Sequence, residues 1–107
     1  MKMKITEQEN SVKIKVGGSF SSLSEINELV STVEKRIKEL EENELVLDFS
    51  SCKTLPSSIM GFLIHWDKEL KNKNKCLILN NVPEIFMDLL KVCNLDSVLN
   101  IKIEKEE

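Results

Sequence analysis

The residues of this chain best suited to chemistry lie in Thr54-Leu55-Pro56-Ser57-Ser58-Ile59-Met60-Gly61. Two adjacent serines stand there where the loop leaving a strand enters a predicted helix. Two readings of them are open. In one, Ser57 or Thr54 caps the helix by accepting hydrogen bonds from the orphan N–H groups of its first turn. In the other, Ser57 and Ser58 are candidate phosphate acceptors. The carboxyl end of a parallel strand is where α/β sheets place their sites, and a helix N-terminus favours an anion. A phosphoryl group there adds roughly −1.5 to −2 charge units, which repels a partner docked through acidic or apolar groups.

Other reactive side chains are sparse. The only histidine, His65, sits in mid-helix with Glu69 four residues on, the spacing of a surface ion pair. No neighbouring nucleophile completes a catalytic arrangement. Gly17-Gly18-Ser19 lacks both the spacing and the lysine of a phosphate-binding loop. Cys52, Cys76 and Cys93 are odd in number and form no CxxC pair, so neither a zinc site nor a disulfide framework is indicated. Cys76 in an apolar run and Cys93 on an apolar helical face read as small hydrophobes. The single tryptophan, Trp66, reads as a core anchor. The expectation is a protein that is not an enzyme and holds neither cofactor nor metal.

The elements that must position these residues follow from periodicity. Residues 3–7 and 11–16 alternate, placing Val12, Ile14 and Val16 on one face, with a turn at Glu9-Asn10 and an end at Gly17-Gly18. Ile26, Leu29, Val30, Val33, Ile37 and Leu40 then form one helical stripe, opened by the capping-box pattern Ser22-Leu23-Ser24-Glu25. Leu45-Val46-Leu47-Asp48-Phe49 is short and continuous, as in a central strand covered on both faces. A second helix runs roughly from Ser57 to Lys71, with Lys68, Lys71, Lys73 and Lys75 complementing its dipole. Gly61 in that helix implies close packing.

Cys76-Leu77-Ile78-Leu79 is another strand, closed by an Asn80-Asn81 turn. Pro83 opens a third helix whose buried face is Ile85, Phe86, Leu89, Leu90 and Cys93, with Asn94 in a left-handed terminal position. Leu99, Ile101 and Ile103 alternate as a last strand, and 104–107 read as a frayed tail. The order β-β-α-β-α-β-α-β predicts an α/β fold with a small, mixed, largely parallel sheet, an N-terminal hairpin and crossover helices.

Size and charge bound the rest. A chain of 107 residues makes one domain, 1–107, and 15 basic against 18 acidic residues give a net charge of −3. No segment concentrates positive charge strongly, which disfavours phosphate-driven binding of nucleic acid. The longest apolar stretch, Ile59 to Ile64, is far short of the roughly 20 residues that span a bilayer, so no direct membrane insertion is expected. The start Met-Lys-Met-Lys-Ile-Thr has no apolar leader region, and the expected location is cytoplasmic.

The element order and two segments resemble the STAS family, shared by anti-sigma factor antagonists and sulphate transporters. Leu45 to Gly61 is similar to the family's central strand and the Asp-Ser-Ser-Gly-x-Gly turn and helix after it. Leu90-Lys91-Val92-Cys93-Asn94-Leu95-Asp96-Ser97-Val98-Leu99-Asn100-Ile101 resembles the family's closing pattern, with Asn94 at the glycine position. The resemblance implies a transcription regulator that binds a histidine-kinase-like anti-sigma factor, a serine kinase, and is released when phosphorylated, with Ser57 as acceptor and Ser58 its neighbour. It implies a partner-binding surface of Ser21, Pro56, Ser57, Ser58, Ile59 and Gly61. Pro56 stands where the family has Asp, Ile59 where it has its first Gly, and Ser21 where an acidic residue usually follows the second strand. An alternative implied by this degenerate motif is an accessory subunit of a membrane transporter, docked on an ABC-type ATPase without phosphate switching.

Overall fold

Alternation and helical spacing resolve into five strands and three helices in a computed structural model, which describes residues 2–18, 20 and 22–102. The strands are β1 (Lys2–Glu7), β2 (Ser11–Gly18), β3 (Glu44–Cys52), β4 (Cys76–Asn80) and β5 (Asn100–Lys102). The helices are α1 (Leu23–Glu39), α2 (Ile59–Asn72) and α3 (Glu84–Val92). The sheet runs β1-β2-β3-β4-β5, with β1 antiparallel to β2 and the remaining pairs parallel. This is the mixed, largely parallel α/β fold expected.

Sequential neighbours joined by right-handed crossovers carry every helix to the same side of a sheet. The core follows that rule. Leu29, Val33 and Ile37 of α1, Leu63 and Trp66 of α2, and Phe86 and Leu90 of α3 share one buried cluster with Ile14, Leu47 and Leu79 of the strands. Trp66 is fully buried there, as expected of an anchor, and stacks on Phe62 with ring centroids 5.8 Å apart. The expectation that β3 is covered by elements on both faces is corrected. Val46 and Ile78 alternate to the opposite face, outside that cluster, beneath the side chains of Gln8, Lys13, Glu44 and Lys102. Long charged side chains cover apolar surface with their stems.

Local differences have local causes. β2 does not end before the glycines but runs through Gly18, with an irregular register against β3 between Lys15 and Gly17. Gly18 takes φ 85, a conformation open to glycine at little cost. Ser22 has the extended backbone of an N-cap, yet forms no side-chain cap; its hydroxyl meets Ser24 Oγ at 2.9 Å instead. Lys73 and Lys75 reach past their own helix. Their ammonium groups donate to the carbonyls of Ile37 and Leu40, at the negative end of α1. On α3, Phe86 and Leu90 are buried, but Ile85 and Cys93 are exposed, which corrects the expected buried face. Leu99 is buried but precedes β5, which is only three residues long. Ile103 and 104–107 lie outside the described residues.

Candidate functional site

The loop between β3 and α2 carries the serines. Ile59 N–H donates to Pro56 O and Met60 N–H to Ser57 O, both at 3.1 Å, so backbone turns close the entrance to α2. Ser58, in the capping position, has φ −61 and ψ −23, already helical, and forms no side-chain cap. A capping side chain usually requires an extended backbone at that residue. The cap expected of Ser57 or Thr54 is formed by neither side chain; backbone turns close the start of α2 instead. Thr54 is engaged through its carbonyl, which accepts from Cys52 Sγ at 3.1 Å. Ser57 and Ser58 are both exposed at the helix entrance.

The other sequence-predicted residues separate. Pro56 is half-buried beside the serines. Ile59 is fully buried in the core, so it anchors the start of α2 and offers nothing to a partner. Gly61 is exposed, and a Cβ there meets no atom within 4 Å, so it does not serve close packing. Ser21 lies outside the described residues.

A groove of about 690 Å³ opens beside Ser57, between the β3–α2 loop and α3. Lys53, Thr54 and Leu55 line one wall; Ile85, Leu89 and Val92 line the other, with Glu84 and Asp88 at its rim. Ile85 is 86% exposed and Val92 80%. Sequence reasoning missed this wall, although the signal was present. Ile85, Leu89 and Val92 follow i, i+4, i+7, a second apolar stripe beside Phe86 and Leu90.

Asp48, just upstream in β3, was also missed as more than a strand residue. It is buried, and its Oδ1 accepts from Ser50 N–H at 2.9 Å and from Asn81 Nδ2 at 3.2 Å. Lys13 Nζ stands 3.8 Å from Oδ2. Burial alone raises a carboxyl pKa, but the hydrogen bonds from Ser50 and Asn81, with the Lys13 charge, outweigh it and hold Asp48 below its ordinary value. Burial pushes the thiols of Cys52 and Cys76 up, the latter helped by Glu44, so neither is an activated nucleophile. His65 Nε2 faces Glu69 Oε2 at 3.8 Å across one exposed helical turn. Among the described residues no group of three His, Cys, Asp or Glu side chains is placed to hold a metal ion.

A family model described as MlaB, STAS domain, matches residues 3–101. The chain belongs to the STAS domain family. Solved structures with the same fold include the Bacillus cell fate determinant SpoIIAA in its phosphorylated form, at 14% identity and a TM-score of 0.77. That match covers 98% of this chain and 93% of the other. An anti-sigma-factor antagonist (STAS) domain protein from Planctomyces limnophilus matches at 16% identity and 0.79, over 96% and 91% of the two chains. A serine-to-glutamate variant of Moorella thermoacetica RsbS matches at 12% and 0.76, over 98% and 89%. At such identities the likeness is one of fold. In this STAS domain an exposed serine pair stands at the α2 entrance, with an apolar groove beside Ser57. Among its described residues no helix is long and apolar enough to cross a membrane.

Proposed function

We propose that this STAS domain is a non-enzymatic regulator that docks a histidine-kinase-like anti-sigma factor through the α2 entrance and the groove of α3, with Ser57 as the phosphate acceptor. One observation carries the reading. Ser57 is exposed and lines the same groove as the exposed Ile85 and Val92. Apolar anchors in a groove supply affinity, and a phosphoryl group at its edge supplies release. The groove already carries Glu84 and Asp88, so added negative charge favours an occupant that is lost on phosphorylation. Relatives of the same fold are anti-sigma factor antagonists by name, one of them solved phosphorylated, which supports the reading.

Incubation with the cognate kinase and ATP is expected to add one phosphate, absent from Ser57→Ala. Pull-down with wild type, Ser57→Ala and Ser57→Asp is expected to lose the partner only with Ser57→Asp. Equal recovery by all three proteins removes the charge switch.

A second reading is favoured by Pro56, which puts no carboxylate or other hydrogen-bonding side chain of its own beside the acceptor. In it the same groove holds an ABC-type transporter ATPase and Ser57 is never phosphorylated. Co-purification with such an ATPase, unaffected by Ser57→Ala, separates it from the kinase reading.

A further inference from the structure

The groove beside Ser57 has walls of unlike charge. Lys53 stands with Ser57 on the loop wall, while Glu84 and Asp88 stand one helical turn apart on the α3 wall. All three are exposed, and none of them is in an ion pair among the described residues. The apolar stripe Ile85, Leu89 and Val92 runs along the same α3 wall for about 10 Å, at 1.5 Å of rise per residue. An occupant that matches this groove is therefore apolar along one line and oppositely charged on its two edges.

The form of the groove selects among such occupants. Ile85 and Val92 line it yet are largely exposed, so what covers them is larger than a small molecule sunk between the walls. An extended peptide adds to a free strand edge, and these walls are a loop and a helix. A proline-rich segment docks on exposed aromatic rings, and the aromatic residue lining this groove, Phe86, is buried. A second copy of this chain is opposed by charge. Asp88 and Leu89 lie at the midpoint of the stripe, so two-fold pairing of α3 with itself sets Asp88 against its own counterpart. An amphipathic helix meets every requirement, because its apolar stripe repeats at the spacing of Ile85, Leu89 and Val92 and its flanks carry charge to both walls.

We propose that the groove takes an amphipathic α-helix of the protein partner, laid along α3, with basic side chains against Glu84 and Asp88 and a carboxylate against Lys53. This rests on the reading above that a protein docks in the groove, and it specifies how that docking is switched. A phosphoryl group on Ser57 stands on the wall of Lys53, where it competes for the ammonium group and repels the carboxylate of the helix. Release therefore acts through the acidic edge of the occupant, and the basic edge is indifferent to it.

The full chain is titrated, by fluorescence anisotropy, with labelled synthetic peptides of about 20 residues, long enough to hold a helix in water. A two-sided peptide carries leucines at helical spacing, lysines along one edge of that stripe and glutamates along the other. A second peptide has glutamine in place of the glutamates, and a third is a scramble of the first. Wild type is expected to bind the two-sided peptide best and the scramble not at all. Glu84→Lys/Asp88→Lys changes two exposed side chains, so it is expected to fold and to bind the two-sided peptide about tenfold more weakly. Ser57→Asp is expected to weaken the two-sided peptide about threefold and to leave the glutamine peptide unaffected. Equal affinity for the scramble, or an affinity that Glu84→Lys/Asp88→Lys does not move, overturns the proposal. So does a dimer of the free chain that Ile85→Asp dissolves, which assigns the stripe to a second copy. Recovery of a partner from pull-down while no peptide binds overturns the helical occupant and leaves docking in place. Equal recovery of that partner by wild type and Ser57→Asp removes the phosphate switch instead, and the helical occupant stands on the peptide titration, which needs no kinase.

Discussion

Asn81 donates its side-chain amide to Asp48 Oδ1 at 3.2 Å, which ties the turn after β4 to the middle strand. Asn81 takes φ 56 to make that turn, a left-handed conformation that Asn tolerates better than most residues. The bond converges on the same oxygen as the Ser50 N–H, two residues beyond Asp48. Asp48 thus braces the middle of β3, the strand from which the Ser57 loop departs.

Acid is expected to loosen this bracket. The folded pKa of Asp48 lies below its unfolded value, so its contribution is fully present above the ordinary aspartate range of about 4 and is lost as pH falls through the folded value. Melting temperature followed by circular dichroism from neutral to acid pH should drop in wild type below about pH 4. Asp48→Asn, which cannot titrate, should start lower at neutral pH and drop less. Parallel acid slopes in the two proteins would show that Asp48 is not a source of the sensitivity.

Gly61 makes a simpler prediction. It is an exposed helical glycine over open space, where a methyl group touches nothing within 4 Å. Alanine there reduces the entropy lost on folding, so Gly61→Ala is expected to stabilise by about 1 kcal/mol. For a domain near this size that raises the melting temperature by roughly 4 °C or more. An unchanged or lower melting temperature refutes the account. Binding of a partner should survive the change unless the partner touches the bare backbone of α2.

The fold was legible because each element carried its own signal. Val12, Ile14 and Val16 alternate, and the α1 stripe repeats every three to four residues, so both periods survive folding unaltered. Asn94 also fulfilled its reading, with φ 58 just past α3. What failed were inferences about faces. A continuous apolar run such as Leu45–Phe49 does not reveal which side the crossovers cover; that depends on strand order, which is a property of the whole chain. Ile85 looked buried because α3 has two adjoining apolar stripes and only one meets the core. Cys93 continues the stripe of Phe86 and Leu90 but stands at the C-cap, beyond the last residue of the helix, and is exposed. The serine pair was placed at a helix entrance, but the backbone turns that stand there in place of the cap expected of Ser57 or Thr54 have no local signature.

The second α3 stripe gives the sharpest test of the docking groove. Ile85 and Val92 lie seven residues, about two turns, apart and are largely exposed, so their burial adds little to folding. Ile85→Asp and Val92→Asp are expected to shift stability by no more than about 0.5 kcal/mol, the range of surface substitutions away from special features. If the groove seats a partner, the same changes put a charge beside Glu84 and Asp88 in a desolvated contact and cost about 2 kcal/mol of binding, roughly thirtyfold. Their effect should combine with Ser57→Asp less than additively, because all three act on one occupant. Titration calorimetry with the captured partner reads both quantities. Full affinity in both stripe variants, with stability unchanged, would place the docking surface elsewhere on the domain.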